Sequence, residues 1–229
     1  MTTVVLSGSL GSTREMWDAQ ADALRDFDVV RLEHPGHDGE PMIELHGIES
    51  LARYVLEKVQ SHRFSFVGLS LGGAVGMQLA IAAPERLDRL VLACASARFG
   101  DPQGWDERIA LARREGMEAL ADVVLLRWFT PSFEDVQRFR EMFVSTPTDV
   151  YVAYCELLRE YDLRGRLGAI RAPTLAIAGA EDPTAPPEVV ESVAAEIPGA
   201  SVVVIERAAH LVNVERADEF NQALRGHLA

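Results

Sequence analysis

Short apolar runs alternate along the chain with longer amphipathic segments. Apolar runs with little polar alternation are typical of strands that are buried on both faces of a parallel sheet. Segments with apolar residues three and four positions apart are typical of helices that cover such a sheet. The pattern predicts strands at 4–7, 28–32, 64–67, 87–93, 173–178 and 201–205. It also predicts sheet-covering helices at 14–27, 48–62, 71–83, 188–197 and 214–228.

The strand signal is interrupted once, after the fourth predicted strand. From about residue 96 to residue 162 only helical spacing is present, and it predicts about four helices, at 105–114, 117–128, 133–143 and 150–161. The sequence therefore predicts an α/β fold with a mostly parallel sheet of about six strands and helices on both faces. Residues 1–95 and 163–229 would form this core, and residues 96–162 a helical cap over the carboxyl ends of the strands.

Size and charge narrow the range of partners. A chain of 229 residues with 48% hydrophobic and 25% charged residues fits one large globular domain, or a domain with an inserted subdomain. The formal net charge of −13 argues against nucleic acid or an anionic membrane as a partner, because both attract basic surfaces. A small anionic substrate is compatible with this charge, because a few local arginines can hold one carboxylate.

The chain carries no signal for secretion or for a membrane span. Its first residues lack the basic segment of a signal peptide, and no apolar run approaches about 18 residues. The two cysteines, Cys94 and Cys155, make no disulfide framework and lack metal-ligand spacing. We expect a cytoplasmic protein with reduced thiols, no metal and no cofactor.

A glycine-serine-glycine motif lies between the third predicted strand and the helix after it. Residues 64–73 read Phe-Ser-Phe-Val-Gly-Leu-Ser-Leu-Gly-Gly. In a strand-turn-helix context, G-x-S-x-G is typical of a nucleophile elbow, a strained turn that presents the serine hydroxyl at a helix N-terminus. Gly68 and Gly72 lack a Cβ, so that the strand and the helix can pass close to the turn. Ser70 is the candidate nucleophile.

A serine hydroxyl is a poor nucleophile at neutral pH and needs a base and a third group that orients the base. In this motif's fold the order along the chain is serine, acid, histidine, and the partners follow the ends of parallel strands. His210 follows the last predicted strand and is the candidate base, whereas His34 and His37 precede the nucleophile. A purely structural, hydrogen-bonded role for His210 is the alternative.

The candidate acid follows the strand that ends at Ala178. We prefer Asp182 to Glu181, because its shorter side chain stands just before Pro183 and is held more rigidly. The alternatives are that both carboxylates are solvated loop residues, or that Asp182 only organises the turn.

A tetrahedral intermediate also needs hydrogen-bond donors for its oxyanion. The backbone N–H of Leu71, the residue after the nucleophile, lies at the positive N-terminus of a helix and is one candidate donor. The second candidate is in the loop after the first strand, at Ser9 N–H, with Leu10 as its neighbour.

At these residues the chain resembles the α/β-hydrolase superfamily and, within it, the 3-oxoadipate enol-lactonases. The elbow and the histidine loop are common to the superfamily, whereas the cap segments are more discriminating for the lactonases. The likeness is densest in the segments 67–76, 90–101, 105–109, 127–131, 178–183 and 209–215.

The resemblance implies a cofactor-independent serine hydrolase. Its substrate would be a five-membered enol-lactone with a carboxymethyl group, and its product 3-oxoadipate, formed during the breakdown of aromatic compounds. The substrate carboxylate needs a cation, for which Arg127 and Arg98 are candidates, while Trp128 would cover the ring. Leu10 is a further candidate substrate-binding residue. Alternatively, Trp128 is cap core and the arginines are solvated.

The chain departs from the lactonase pattern in two places. Relatives usually start some two dozen residues earlier, with an antiparallel strand pair. The segment 33–40 reads Glu-His-Pro-Gly-His-Asp-Gly-Glu in place of the usual Asp-x-Arg-Gly-His-Gly-x-Ser. Because this loop can line the pocket, other functions stay open: an esterase of small esters, a C–C bond hydrolase, a synthase of the menaquinone-pathway type, or a ligand-binding protein that performs no reaction.

Overall fold

The computed structural model describes residues 1–229 and is built on one six-stranded sheet with the strand order β2-β1-β3-β4-β5-β6. Each neighbouring pair of strands is parallel, so the sheet is fully parallel and not only mostly so. The six predicted strands are confirmed to within a residue or two at each end. They are β1 (Thr3–Ser7), β2 (Asp28–Leu32), β3 (Phe64–Leu69), β4 (Leu87–Ala93), β5 (Thr174–Gly179) and β6 (Ser201–Ile205).

The parallel register brings the carboxyl ends of the strands to one edge of the sheet. Ser7 at the end of β1 pairs with Gly68 of β3, and Gly68 pairs with Leu92 of β4. Gly179 at the end of β5 pairs with Ile205 at the end of β6. The loops that follow β1 and β3 therefore start side by side, as do those that follow β5 and β6, with only β4 between the two pairs.

Helices cover both faces of the sheet, as predicted. Helix α2 packs on α3, which contacts β1, β3 and β4, and α1 packs on α9. Helices α2, α7 and α9 are buried along one side, in agreement with the amphipathic pattern, whereas α3 is buried on all sides from Leu71 to Ala80. The sheet-covering helices are α1 (Asp18–Ala23), α2 (Ile48–Lys58), α3 (Leu71–Ala82), α7 (Pro187–Glu196), α8 (Val212–Glu215) and α9 (Ala217–Leu228).

Three of these helices differ in extent from the prediction. The first begins as a 3₁₀ turn at Arg14–Trp17 and ends at Ala23, because the chain turns between Leu24 and Phe27 to enter β2 beside β1. Helix α2 ends at Lys58 and not at residue 62. The last is divided into α8 and α9 at Arg216, which leaves helical geometry while its guanidinium donates to the Arg207 carbonyl at 2.9 Å.

Three cap helices stand between β4 and β5: α4 (Pro102–Trp128), α5 (Val136–Val144) and α6 (Thr148–Glu160). Helix α4 contains both predicted helices 105–114 and 117–128, joined at Gly116, whose φ of 79° interrupts the helical geometry. Glycine adopts a positive φ of this size at little cost in free energy, because it has no Cβ. The cap and the sheet share one hydrophobic core, so the cap is held firmly against the sheet. None of the helices combines the length and the hydropathy that crossing a membrane requires.

We expect Gly72→Ala to destabilise the protein strongly. A Cβ at position 72 would lie 2.1 Å from the carbonyl oxygen and 2.6 Å from the carbonyl carbon of Ser7, and these backbone atoms of β1 cannot move aside easily. Overpacking of this kind costs about 1–3 kcal/mol or more, to be measured by urea unfolding. Gly226→Ala is the control, because a Cβ there meets open space within α9 and gains about 0.5–1 kcal/mol of helix propensity. Equal midpoints of urea unfolding for Gly72→Ala and the wild type would contradict the packing argument.

Candidate active site

Ser70 occupies the strained turn that the motif predicts. Strand β3 ends at Leu69 and α3 begins at Leu71, and Ser70 between them has φ 57° and ψ −110°. A non-glycine residue keeps such a backbone only where its surroundings enforce it. Here Ser70 N–H donates to the Ala93 carbonyl at 2.9 Å, and the Ser70 carbonyl accepts from Ala74 N–H at 3.0 Å. The side chain is thus presented at the helix N-terminus.

Asp182 and His210 form a buried hydrogen-bonded pair. The distance between His210 Nδ1 and Asp182 Oδ2 is 2.8 Å, and the two side chains are 3% and 0% exposed. Asp182 Oδ1 also accepts from Thr184 N–H at 2.7 Å. Burial alone would raise the pKa of Asp182, but the charge and hydrogen bond of His210, together with backbone donors, hold that pKa below its ordinary value. Because the ionised Asp182 accepts the hydrogen bond from His210 Nδ1, His210 Nε2 is the nitrogen that can act as a base.

The structure distinguishes between the two carboxylates considered in the sequence. Glu181 is exposed, whereas Asp182 is buried against His210. The loops that carry the pair are tied together, because Glu181 N–H donates to the Ala208 carbonyl at 2.9 Å. Gly179 lies so close to the Ala209 carbonyl that a Cβ there would come within 2.2 Å of its oxygen.

Glu215 supports the histidine loop, a role that the sequence analysis missed. Its carboxylate accepts from Ala209 N–H at 2.8 Å and from Thr130 N–H at 3.1 Å, and it also contacts the Thr130 hydroxyl. In addition, Leu211 N–H donates to the Trp128 carbonyl at 2.9 Å. The segment around His210 is therefore joined to the end of cap helix α4. The only signal for Glu215 was its place in the 209–215 segment.

A cavity of about 480 Å³ opens between the elbow and the cap. Six of the predicted site residues line it, namely Ser9, Leu10, Ser70, Arg127, Trp128 and His210. Asp182 lies behind His210, and Leu71 is buried at the start of α3. Arg98 does not line the cavity, and its backbone N–H is held by the Ser96 hydroxyl instead. A second, more open depression of about 530 Å³ between β6 and α9 contains no predicted site residue.

The backbone donors predicted for the oxyanion are oriented by the loop after β1. Gly72 N–H donates to the Gly8 carbonyl at 3.0 Å, which joins this loop to the elbow. Ser9 N–H and Leu10 N–H have no acceptor within the protein, whereas Gly11 N–H donates to His37 Nε2 at 3.3 Å. Among these three N–H groups, only those of Ser9 and Leu10 are free to bind an oxyanion.

Arg108 is a further cation in the cavity that the sequence analysis did not select. It is half-buried on α4, its guanidinium lies 5.0 Å from the Trp105 ring centroid, and its Nη1 lies 3.5 Å from the Tyr151 hydroxyl. The spacing of three residues from Trp105 places both side chains on the same side of the helix. Arg108 belongs to the discriminating 105–109 segment, so the signal was present but was not assigned a role.

The two arginines of the cavity have no carboxylate within ion-pair distance. Partial burial, and then the charge of Arg108, lowers the pKa of Arg127 below its ordinary value. Asp101 and Glu107 also line the cavity, but Asp101 caps α4 through Gly104 N–H and Glu107 accepts from Gln103. The arginines are therefore free to bind an anion.

The structure contains one group of three side chains with metal-ligand chemistry, Cys94, Asp182 and His210, whose ligand atoms lie within 4.8 Å of one another. Asp182 and His210 already bind each other. Burial raises the pKa of the Cys94 thiol well above its ordinary value, so the thiolate that a metal needs is disfavoured. The group does not fit a metal site.

Comparison with known proteins gives consistent results. The model of the Alpha/beta hydrolase family matches residues 4–223. 3-oxoadipate enol-lactonase 2 of Acinetobacter baylyi is 32% identical over 233 residues, which cover 96% of this chain and 86% of the relative. A putative carbamate hydrolase, RutD of Rhizobium rhizogenes, is 31% identical and covers 96% of this chain and 89% of its own length.

Among solved structures, the enol-lactonase from Burkholderia xenovorans LB400 superposes with a TM-score of 0.95 and 37% sequence identity, covering 99% of this chain and 91% of that one. The resemblance predicted from the sequence is confirmed. Because a lactonase and a carbamate hydrolase match at nearly the same identity, the relatives do not decide the substrate, and the side chains of the cavity have to be considered.

We expect Asp182→Asn to lower kcat for p-nitrophenyl acetate by about 10³–10⁴-fold, because the amide favours the wrong tautomer of His210. Glu181→Gln is the matched control, since Glu181 is exposed and should leave kcat within about twofold, within the usual range for surface substitutions. Steady-state kinetics of the two variants provide the measurement. A loss in Glu181→Gln with full activity in Asp182→Asn would reverse the assignment of the acid.

Proposed function

The chain belongs to the alpha/beta hydrolase family, and from that premise we propose that it is a serine hydrolase that opens a small lactone bearing a carboxylate, with 3-oxoadipate enol-lactone as its substrate. One observation carries the choice of substrate. Arg108 and Arg127, without carboxylate partners, line the same cavity as Ser70 and His210. The enol-lactonase relatives support the proposal.

In the proposed reaction the Ser70 hydroxyl attacks the lactone carbonyl, and His210 Nε2 accepts the hydroxyl proton. The negative charge then moves to the former carbonyl oxygen, where Leu71 N–H and Ser9 N–H would bind it. Asp182 keeps His210 oriented and stabilises the imidazolium that forms. The strained backbone of Ser70 presents its hydroxyl for this attack.

Ring opening breaks the bond between the carbonyl carbon and the ring oxygen. The electron pair of that bond goes to the enol oxygen, which takes the proton from His210 and stays attached to the acyl chain, and the enol tautomerises to a ketone. An acyl group then remains on Ser70. Water attacks this acyl group while His210 removes the water proton; the bond to Ser70 Oγ then breaks, His210 returns the proton to Oγ, and the acid is released.

The two arginines would bind the carboxylate that takes no part in the reaction. A guanidinium binds a carboxylate through paired, charge-assisted hydrogen bonds, and its strength increases where water is excluded. Arg108 is the better placed of the two, because it is half-buried between Trp105 and Tyr151 while Arg127 is exposed. We therefore assign to Arg108 the role that the sequence analysis gave to Arg98 or Arg127.

Hydrolysis of a carbamate is the second candidate function, and the match to the putative carbamate hydrolase RutD favours it. The same serine, histidine and oxyanion donors would serve a carbamate or a simple ester. The functions differ in what they require of the arginines, because a simple ester or a neutral carbamate ester has no carboxylate beside the bond that is broken. The charge of the substrate therefore separates the candidates.

We expect the purified protein to consume 3-oxoadipate enol-lactone, measured as loss of its ultraviolet absorbance, and Ser70→Ala to lower kcat by about 10⁴-fold or more. Labelling of Ser70 by a fluorophosphonate is measured in parallel. Rapid labelling without turnover of the lactone would refute the proposed substrate but support the proposal of a serine hydrolase. Failure of both reactions would favour a ligand-binding protein.

We expect Arg108→Gln to raise KM for the lactone by about 10–100-fold, because a charge-assisted hydrogen bond contributes about 1.5–3 kcal/mol. Hydrolysis of p-nitrophenyl acetate, which carries no carboxylate, should be nearly unchanged. Arg98→Gln is the matched control, since Arg98 is outside the cavity and should leave both reactions intact. An equal loss of both activities in Arg108→Gln would indicate damage to the cap and not loss of an anion site.

A further inference from the structure

Two buried histidines, His34 and His37, lie in the loop after β2 and belong neither to the proposed triad nor to the cavity wall. Both contact the oxyanion loop, which we define as residues 8–11. We propose that His34 and His37 are positioning residues that hold this loop so that Ser9 N–H points to the developing oxyanion. The inference rests on the proposed function as a serine hydrolase.

His34 acts on the peptide group that contains Ser9 N–H. The Gly8 carbonyl oxygen lies 3.0 Å from His34 Nε2 and also accepts from Gly72 N–H at 3.0 Å. Because a carbonyl oxygen can only accept, His34 carries its proton on Nε2 and donates. The Gly8 carbonyl and Ser9 N–H belong to one trans peptide and point in opposite directions. Two donors that fix the carbonyl thus fix the direction of Ser9 N–H.

His37 holds the other end of the oxyanion loop with the opposite tautomer. Its Nε2 accepts from Gly11 N–H at 3.3 Å, and its Nδ1 faces the Pro35 carbonyl at 3.4 Å. Burial, and then the charge of His34, lowers the pKa of His37 to about 3, so the ring is neutral and Nε2 keeps its lone pair. His37 thereby withdraws Gly11 N–H from the donor set.

The peptide group between Ser9 and Leu10 is held by a third residue, Ser12. The Ser9 carbonyl accepts from Ser12 N–H at 3.2 Å and from the Ser12 hydroxyl at 2.8 Å. This orients the peptide whose N–H belongs to Leu10. The carbonyls of Gly8 and Ser9 both accept hydrogen bonds, and the N–H groups of Ser9 and Leu10 have no acceptor. This is the preorganised arrangement that stabilises a transition-state charge.

The cap holds the two histidines in place. The Tyr154 hydroxyl of α6 donates to the Pro35 carbonyl at 2.9 Å. The Tyr154 ring packs edge-on against His37, with ring centroids 5.1 Å apart at 85°, and against His34 at 6.0 Å. The histidines are therefore enclosed between the oxyanion loop and the cap, and their rotation is restricted by close packing.

The test compares His34→Leu with His34→Gln on p-nitrophenyl acetate. The glutamine amide nitrogen can replace Nε2 as a donor to Gly8, whereas leucine fills space without donating. We expect His34→Leu to lower kcat by about 10–100-fold, less than complete removal of an oxyanion donor, and to change KM by less than about threefold. His34→Gln should retain kcat within about threefold of the wild type. His62→Leu is the control, since His62 is an exposed histidine away from the oxyanion loop.

A second readout separates positioning of the donor from general stability. Phenylboronic acid forms a tetrahedral adduct with a serine hydroxyl and places an oxygen in the oxyanion hole, whereas benzoate forms no adduct. We expect the inhibition constant of phenylboronic acid to weaken in His34→Leu in proportion to kcat/KM, while that of benzoate is unchanged. If His34→Leu does not fold, His34→Asn replaces it, because the shorter amide does not reach the Gly8 carbonyl.

Three results would overturn the inference. The first is wild-type kcat in both His34→Leu and His34→Asn. The second is a loss of activity that follows only the fraction of folded protein, with phenylboronic acid binding unchanged. The third is a wild type that neither hydrolyses p-nitrophenyl acetate nor reacts with a fluorophosphonate, which would also refute the proposed function. The first two results leave the proposed function intact.

Discussion

The close approach of the elbow to the loop after the first strand is the contact on which the site depends. Gly72 N–H donates to the Gly8 carbonyl at 3.0 Å, and position 72 has no room for a Cβ beside Ser7. The contact is available because β1 and β3 are parallel neighbours whose carboxyl ends lie side by side. It brings the elbow serine and the N–H groups of the oxyanion loop into one small volume.

Around this contact, the proposed catalytic residues and the proposed ligand-binding arginines come from different parts of the molecule. Ser70, Asp182 and His210 lie at strand ends and are tied to neighbouring backbone by hydrogen bonds. The arginines of the cavity come from helix α4 of the cap instead. Because the cap shares the hydrophobic core of the sheet, it carries these cations at a defined distance from the elbow. Such a division lets one reaction centre serve different substrates when the cap changes.

The positive charges in the cavity also favour an anionic ligand. A half-buried guanidinium without a carboxylate partner is unfavourable in the free protein, since desolvation is not offset by an ion pair. In Arg108, burial lowers the pKa but the contact with Tyr151 keeps it above its ordinary value; the guanidinium also lies over the Trp105 ring, and its charge acts on Arg127. An anionic ligand would relieve both the desolvation and the repulsion. Binding of an anion is compatible with a net charge of −13, because the electrostatic potential inside the cavity depends mainly on the charges that line it.

The sequence by itself determined the elements and their order, because each depends on local spacing: apolar runs for the strands, and G-x-S-x-G for the turn at Ser70. It also placed Asp182 and His210 after strands whose ends must meet in a parallel sheet. Only the tertiary structure decided which arginine faces the cavity, since the direction of a side chain depends on how α4 packs, and Gly116 alters that helix. Nor could local spacing identify the roles of His34, His37 and Glu215, because their hydrogen bonds join segments that are distant in sequence.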